Sequence, residues 1–430
     1  MMWQRSRTIN IIYLFLLLPM LAVGAYVQTL DSEQNRNANS PIAIDSLCVI
    51  QDDANTLSAF LRKLKRLEER RDTVLTIVHL GDSHVQAGFY DRQIMQLLHQ
   101  RYGNAGRGWI SPLKLAQLNE PNDYVINSSA NNWVSGRIIQ RTKRTPIGPG
   151  GIGIQANATD IKFDVQITPA NRAGYAFNQM IMYRGDKSMP MVPTGGQKDG
   201  IRVSYGTQEI GPQMVADTFF MPSLSDAILL QSTQSRPGTT TTLPASAFSN
   251  SYYGFSLTNG KAGILYHALG VNGAKYVDYA DADYMSRLAV LKPSLLVVSL
   301  GTNEAFGGQF REDVFSRQVR SFLSYAKRYL PETAIILITP ADCLKSAVVN
   351  GKRTYVRNED IQRAADVITK IAREDGLACW DLFSATGGAN SSEVWTNARL
   401  LSRDGIHYTM DGYRELGRLF YTAFMRLTEK

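Results

Sequence analysis

Apolar positions along the chain fall into two kinds of run. Residues 74–80 read VLTIVHL, a short and nearly unbroken apolar stretch, after which Val85, Phe89, Ile94, Leu97 and Leu98 recur at helical spacing. The pairing predicts a strand buried on both faces, a tight turn and a helix. The alternation returns late in the chain, with SLLVVSL at 294–300, a helical stretch near 311–329, AIILITP at 334–340, another near 358–374, LACWDLF at 377–383 and a closing helix from Asp411. Buried parallel strands with covering helices, an α/β architecture, are expected.

Between about residues 112 and 262 the long amphipathic pattern is lost, and Gly, Thr, Ser and Asn punctuate the chain, as in GPGGIGIQANATD. IKFDVQI and IRVSYG alternate with a period of two, the mark of half-buried strands. A stretch of about 150 residues is too long for a structureless connection. An inserted β-sandwich is expected, with the Thr tract at 239–242 as an exposed loop and no internal repeat of fixed period. The organisation expected is a leader over 1–27, a linker over 28–45, the α/β domain in two parts over 46–111 and 262–430, and the insert over 112–261.

The leader carries Arg5 and Arg7 ahead of an apolar run over 9–27 that ends at Val23, Gly24 and Ala25 like a signal-peptidase site. The run approaches the ~18–20 residues that span a bilayer, so a cleaved leader and a retained membrane anchor differ only in processing. No cysteine follows it directly, which excludes a lipoprotein anchor. Export to the periplasm or cell envelope is expected, either released or tethered to the inner membrane.

Composition narrows the classes further. The chain has 430 residues, 44% hydrophobic and 20% charged, enough apolar mass for a full core. Its net charge of +8 includes two leader arginines, and a charge so small and scattered does not suggest nucleic-acid binding. Cys48, Cys343 and Cys379 form no zinc-ligand spacing and no disulfide framework. A Cys343–Cys379 bridge and three unbridged buried thiols both remain open. No metal or cofactor is expected, and a monomer is.

Candidate chemistry sits at the strand ends. Ser83, in Gly81-Asp82-Ser83-His84, stands between the first apolar strand and its helix, where free backbone N–H groups and the helix dipole can face an oxyanion. A plain helix cap is the alternative for this tetrapeptide. Of the five histidines, His79 and His267 lie inside strands, His99 lies on a helix and His84 follows the serine. His407 has a loop setting with an acid close by: in Asp404-Gly405-Ile406-His407 a turn lets Asp404 hold the Nδ1 proton while Nε2 faces a nucleophile. In isolation the tetrapeptide reads sooner as an ordinary Asx turn with a surface histidine. Asn303, in Gly301-Thr302-Asn303-Glu304, and the N–H of Gly273, in Gly270-Val271-Asn272-Gly273-Ala274, are candidate oxyanion donors after two further strands.

Ser83, Gly273, Asn303 and His407, in this order and each at a strand end, resemble the four blocks of the SGNH, or GDSL-type, hydrolases. The resemblance covers about residues 70–111 and 262–425. It implies a flavodoxin-like three-layer α/β/α sandwich and acyl-ester hydrolysis without metal. By residue-for-residue carry-over it implies Ser83 as nucleophile, His407 as base, Asp404 as its orienter, and the Ser83 N–H, Gly273 N–H and Asn303 amide as oxyanion hole. Two departures stand out: the first block reads GDSH rather than GDSL, and Glu304 replaces the usual Asp. GDSH, an exported chain and a β-rich insert look most like the bacterial peptidoglycan O-acetylesterases, whose insert resembles a carbohydrate-binding module. Removal of O-acetyl groups from a cell-envelope glycan, peptidoglycan first, is therefore expected. Deacetylation of xylan or sialic acid, glycan O-acetyl transfer and a non-enzymatic wall-binding role are the alternatives. No sugar-binding residue is identified within the insert; Trp109, Trp133, Tyr252 and Tyr253 read either as stacking surfaces or, preferably, as core packing.

Overall fold

The computed structural model describes residues 45–429 except 169–173, 195–199, 206–209, 235–243 and 307. The expected leader, nearly all of the linker and the Thr tract lie outside the described residues. Six strands form a central sheet: β1 (Ile50–Gln51), β2 (Val74–Gly81), β3 (Gly263–Gly270), β4 (Leu295–Ser299), β5 (Ala334–Ile338) and β6 (Ala378–Trp380). Their order is β1-β6-β5-β4-β2-β3. Strands β2 to β6 are parallel, and β1 closes one edge antiparallel to β6. Leu295, Leu296, Val297 and Val298 of β4 are wholly buried, which is why the strand reads as a continuous apolar run.

In chain order the parallel strands follow the flavodoxin pattern, stepping from β2 outward to β3 and then back across to β4, β5 and β6. Right-handed crossovers therefore place successive helices on opposite faces. Helices α1 (Ser58–Arg70), α3 (Tyr90–Tyr102) and α9 (Met410–Thr428) pack together on one face. On the other lie α4 (Tyr276–Tyr279), α5 (Ala282–Leu288), α7 (Glu312–Tyr329) and α8 (Glu359–Glu374). Two short helices, α2 (Ser83–Gln86) and α6 (Thr302–Ala305), start at the C-terminal ends of β2 and β4. The three-layer α/β/α sandwich expected from the resemblance is thus the fold of this portion. The apolar spacing from Val85 to Leu98 is split between α2 and α3, because Gly88 adopts φ +75° and packs so tightly on Pro121 that a Cβ would lie 2.6 Å from it.

The β-rich region forms two antiparallel sheets. The larger contains Val134–Arg137, Ile152–Ala156, Asn250–Thr258, Phe177–Gly185, Met214–Ser225 and Arg202–Tyr205, and takes in Gly108–Ile110 as a partner of Asn250–Thr258. The smaller contains Tyr124–Ser128, Lys162–Ile167, Ala227–Ser232 and Met191–Pro193. Phe163 of the smaller sheet meets Tyr252 and Phe255 of the larger edge to face, at ring separations of 5.0 and 5.9 Å, and stacks on Trp133. Trp109, Tyr252 and Tyr253 are each 1% exposed, so these three rings are core and offer no stacking surface. Two buried arginine–carboxylate pairs, Arg107–Asp123 and Arg184–Asp217, are bidentate and satisfy charges that could not otherwise be buried.

Cys48, Cys343 and Cys379 are all buried, and Cys343 and Cys379 are not bridged. Among the described residues no helix is long and apolar enough to cross a membrane.

Candidate active site

The C-terminal edge of the parallel sheet collects the residues singled out in the sequence. Ser83 opens α2 directly after β2. His407 arrives from the turn before α9, and its Nε2 lies 2.9 Å from Ser83 Oγ. Its Nδ1 lies 2.7 Å from Asp404 Oδ2. The other oxygen, Asp404 Oδ1, accepts the N–H groups of Ile406 and His407 at 2.9 Å each. One carboxylate therefore fixes both its own turn and the imidazole. Burial would raise the Asp404 carboxyl, but the His407 side chain and the two N–H donors outweigh it and hold the group below its ordinary value.

The two neighbouring strand ends carry the two candidate oxyanion donors. Gly273 is exposed at φ +80°, and a Cβ at its position would meet only Ile139 Cδ1, 3.8 Å away, so its backbone borders open space. Asn303 sits on α6 beyond β4, and its Nδ2 donates to Asp82 Oδ2 at 3.0 Å and to Ala274 O at 3.1 Å. Both protons of that amide nitrogen are thereby engaged. Asp82 caps α2 by accepting the His84 N–H on Oδ1 at 3.0 Å. Burial raises its carboxyl above the ordinary value, against the pull of His84 and His407.

Several supporting residues escape sequence reasoning because their partners are distant. Gln86 is buried; its Oε1 accepts the Asn272 N–H at 2.8 Å and its Nε2 donates to Asn119 O at 3.2 Å. It thereby pins the Gly273 turn to α2. Tyr279 donates to Gly81 O at 2.8 Å, tying α4 to the end of β2. Glu304, the departure noted in the third block, accepts the Tyr276 N–H on Oε1 at 2.7 Å, and burial pushes its carboxyl up to about 7. His84 rests 5.3 Å from the His407 ring, hydrogen-bonds Tyr413 Oη through Nδ1 at 3.1 Å, and is held below its ordinary value by burial. Deeper still, His79 bridges Ser299 of β4 and Tyr266 of β3 at 2.7 and 2.8 Å, and burial pushes it down to about 3. These hydrogen bonds lock three adjacent strands beneath the site.

Among the described residues no group of three or more His, Cys, Asp or Glu side chains could hold a metal ion. The Ser83 hydroxyl, His407 imidazole and Asp404 carboxylate form one hydrogen-bonded line, the arrangement that activation of a nucleophile requires.

The sequence model of the GDSL-like lipase/acylhydrolase family matches residues 233–415. That span holds Gly273, Asn303, Asp404 and His407 and begins downstream of Ser83, which the insert separates from them. No curated protein matches the sequence. Among solved structures, one titled as a peptidoglycan O-acetylesterase in action is similar at 20% identity and TM-score 0.69, covering 88% of this chain and 99% of that one. A lipase/acylhydrolase from Enterococcus faecalis is similar at 20% identity and TM-score 0.27, over 39% of this chain and 77% of its own. A GDSL-like lipase from Bacteroides thetaiotaomicron is similar at 17% identity and TM-score 0.28, over 38% of this chain and 75% of its own. The chain carries a GDSL-like lipase/acylhydrolase domain on an SGNH hydrolase fold and is, by class, a carboxylic ester hydrolase.

Proposed function

We propose that the protein removes O-acetyl groups from a cell-envelope polysaccharide, peptidoglycan first, with Ser83, His407 and Asp404 as its catalytic triad. The observation that carries this reading is the unbroken path from Ser83 Oγ to His407 Nε2 at 2.9 Å and from Nδ1 to Asp404 Oδ2 at 2.7 Å. Ser83 Oγ attacks the acetyl carbonyl carbon as its proton passes to His407 Nε2. The oxyanion is taken up by the Ser83 and Gly273 N–H groups and by Asn303, which exchanges the neutral Ala274 carbonyl for a charged acceptor. When the tetrahedral adduct collapses, the bond from carbon to the sugar oxygen breaks and His407 protonates that oxygen. Water then repeats the cycle on the acetyl-enzyme, releasing acetate and restoring Ser83. The choice of a cell-envelope glycan is supported by the likeness, over most of both chains, to the structure titled as a peptidoglycan O-acetylesterase, together with the export signal read in the sequence.

The test is acetate release by the chain lacking residues 1–27 from O-acetylated peptidoglycan and from acetylated xylan. Release from peptidoglycan is expected, with a fall of several orders of magnitude in Ser83→Ala and in His407→Ala and an unchanged melting temperature. Release from xylan alone would keep the chemistry and overturn the substrate. Transfer of acetyl to an added acceptor glycan in preference to water would make the enzyme a transferase. Ser83-independent release would remove the triad assignment.

A further inference from the structure

The insert contributes an unusual run beside the oxyanion turn. From residue 124 to residue 159 the sequence has no Asp or Glu, yet Arg137, Arg141, Lys143 and Arg144 lie within it. Arg141, Lys143 and Arg144 are exposed and Arg137 is half-buried. Among the described residues the ion pairs of the insert are Arg107–Asp123 and Arg184–Asp217, and none of the four cations takes part in them.

The segment is held in place at both ends. The Ile138 N–H donates to Gly151 O at 2.8 Å, the Arg137 N–H donates to Gln140 Oε1 at 3.0 Å, and Thr145 and Ile147 are buried. Between these anchors, Ile139 is the side chain nearest to Gly273. Lys143 is four residues further on, so its Cα lies at most about 14 Å from that of Ile139. Its charge also reaches Asp278 of α4, next to the same turn. Two concave clefts open alongside. One, of about 320 Å³, is bordered by Gln117, Ser135, Arg137, Gln140 and Arg144. The other, of about 580 Å³, is bordered by Asn131, Asn132, Gln155 and Asn157, and Arg144 is shared by both. Amide groups in a concave wall suit sugar hydroxyls. A neutral glycan needs nothing more, whereas cations engaged in no salt bridge among the described residues add attraction only for an anion.

We propose that Arg137, Arg141, Lys143 and Arg144, with the amide-lined clefts that Arg137 and Arg144 border, form a subsite for carboxylates carried by the acetylated glycan, whether on its sugar acids or on attached peptides. This rests on the deacetylase reading and adds the charge of the substrate and the residues that read it. The three exposed cations draw the polymer alongside Gly273, while the acyl chemistry at Ser83 is left unaltered.

The test uses the combined variant R141Q/K143Q/R144Q, all surface positions whose replacement leaves the fold intact. KM for O-acetylated peptidoglycan and for acetylated alginate is expected to rise about tenfold at low salt, with kcat little changed. Rates on p-nitrophenyl acetate and on acetylated glucomannan, which carry no carboxylate, are expected to stay at the wild-type level. A rise confined to peptidoglycan assigns the peptide carboxylates, and one confined to alginate assigns the sugar acids. An equal loss on glucomannan, or no change on either anionic polymer, overturns the proposal. Binding of Ser83→Ala to de-O-acetylated peptidoglycan and to alginate, followed by co-sedimentation with and without the triple substitution, reads the subsite without turnover. Loss of binding with the substitution sustains the subsite even if the wild-type enzyme releases no acetate from any polymer, the result that sinks the deacetylase reading. Unchanged binding, or stronger binding to phosphatidylglycerol vesicles than to either polymer, overturns it.

Discussion

Asn303 Nδ2 lies 3.0 Å from Asp82 Oδ2, so the residue immediately before Ser83 holds an amide supplied by a strand end 221 positions later. The same nitrogen also donates to Ala274 O in the Gly273 turn, at 3.1 Å. One side chain therefore joins the C-terminal ends of β2, β3 and β4. A charged oxyanion in place of the Ala274 carbonyl would strengthen the second bond while the first kept the amide aimed.

Asn303→Ala is accordingly expected to lower kcat on p-nitrophenyl acetate by about a hundredfold or more, with KM little changed. Asp82→Ala loses both the anchor of Asn303 and the cap of α2, and is expected to lose activity together with about 1 kcal/mol of stability. A double-mutant cycle by kinetics and thermal unfolding separates the two effects; additive losses in kcat would mean that Asp82 does not act through Asn303.

Asp404 is held below its ordinary carboxylate value by the His407 side chain and two backbone N–H groups, so it stays ionised down to mildly acidic pH. Any loss of kcat/KM between about pH 4.5 and pH 6 then belongs to another group. Asp404→Asn is expected to reduce kcat by roughly 10³–10⁴-fold across the accessible pH range. A pH–rate profile of both proteins decides this: an Asn variant that matches wild type at any pH would show that the carboxylate does not orient His407.

Glu304 has a carboxyl raised to about 7 by burial, above its ordinary 4.5. The folded state then binds a proton that the unfolded chain has released, so this group's contribution is fully present below about pH 4.5 and is lost as pH rises through about 7. Glu304→Gln retains an acceptor for the Tyr276 N–H and removes the titration. Melting temperature is expected to fall from pH 5 to pH 8 more steeply in wild type than in the variant, measured in matched buffers. Parallel curves would place the proton elsewhere.

Gln86 supports the Gly273 turn through the Asn272 N–H. Gln86→Ala is expected to cost about tenfold in kcat, with a smaller effect for Gln86→Glu because its carboxylate keeps the acceptor. Rescue by Glu distinguishes support of that N–H from simple packing, since both replacements lose the bond to Asn119 O.

The parallel strands were legible because strands buried on both faces leave unbroken apolar runs, and 74–80, 294–300 and 334–340 each became one. Asp404 and His407 were legible together because a three-residue separation is local enough for one turn to close their hydrogen bond. The β-rich character of the insert followed from its two-residue alternation. The meeting of His407 with Ser83, 324 positions apart, and of Asn303 with Asp82 required the strand order, since sequence periodicity assigns each strand a type but no neighbour. The same holds for Gln86, Tyr279 and Glu304, whose partners are backbone groups on other elements. It holds also for the cations at 137–144: their charge was present in the sequence, but only the packing of Ile139 beside Gly273 brings them to the site.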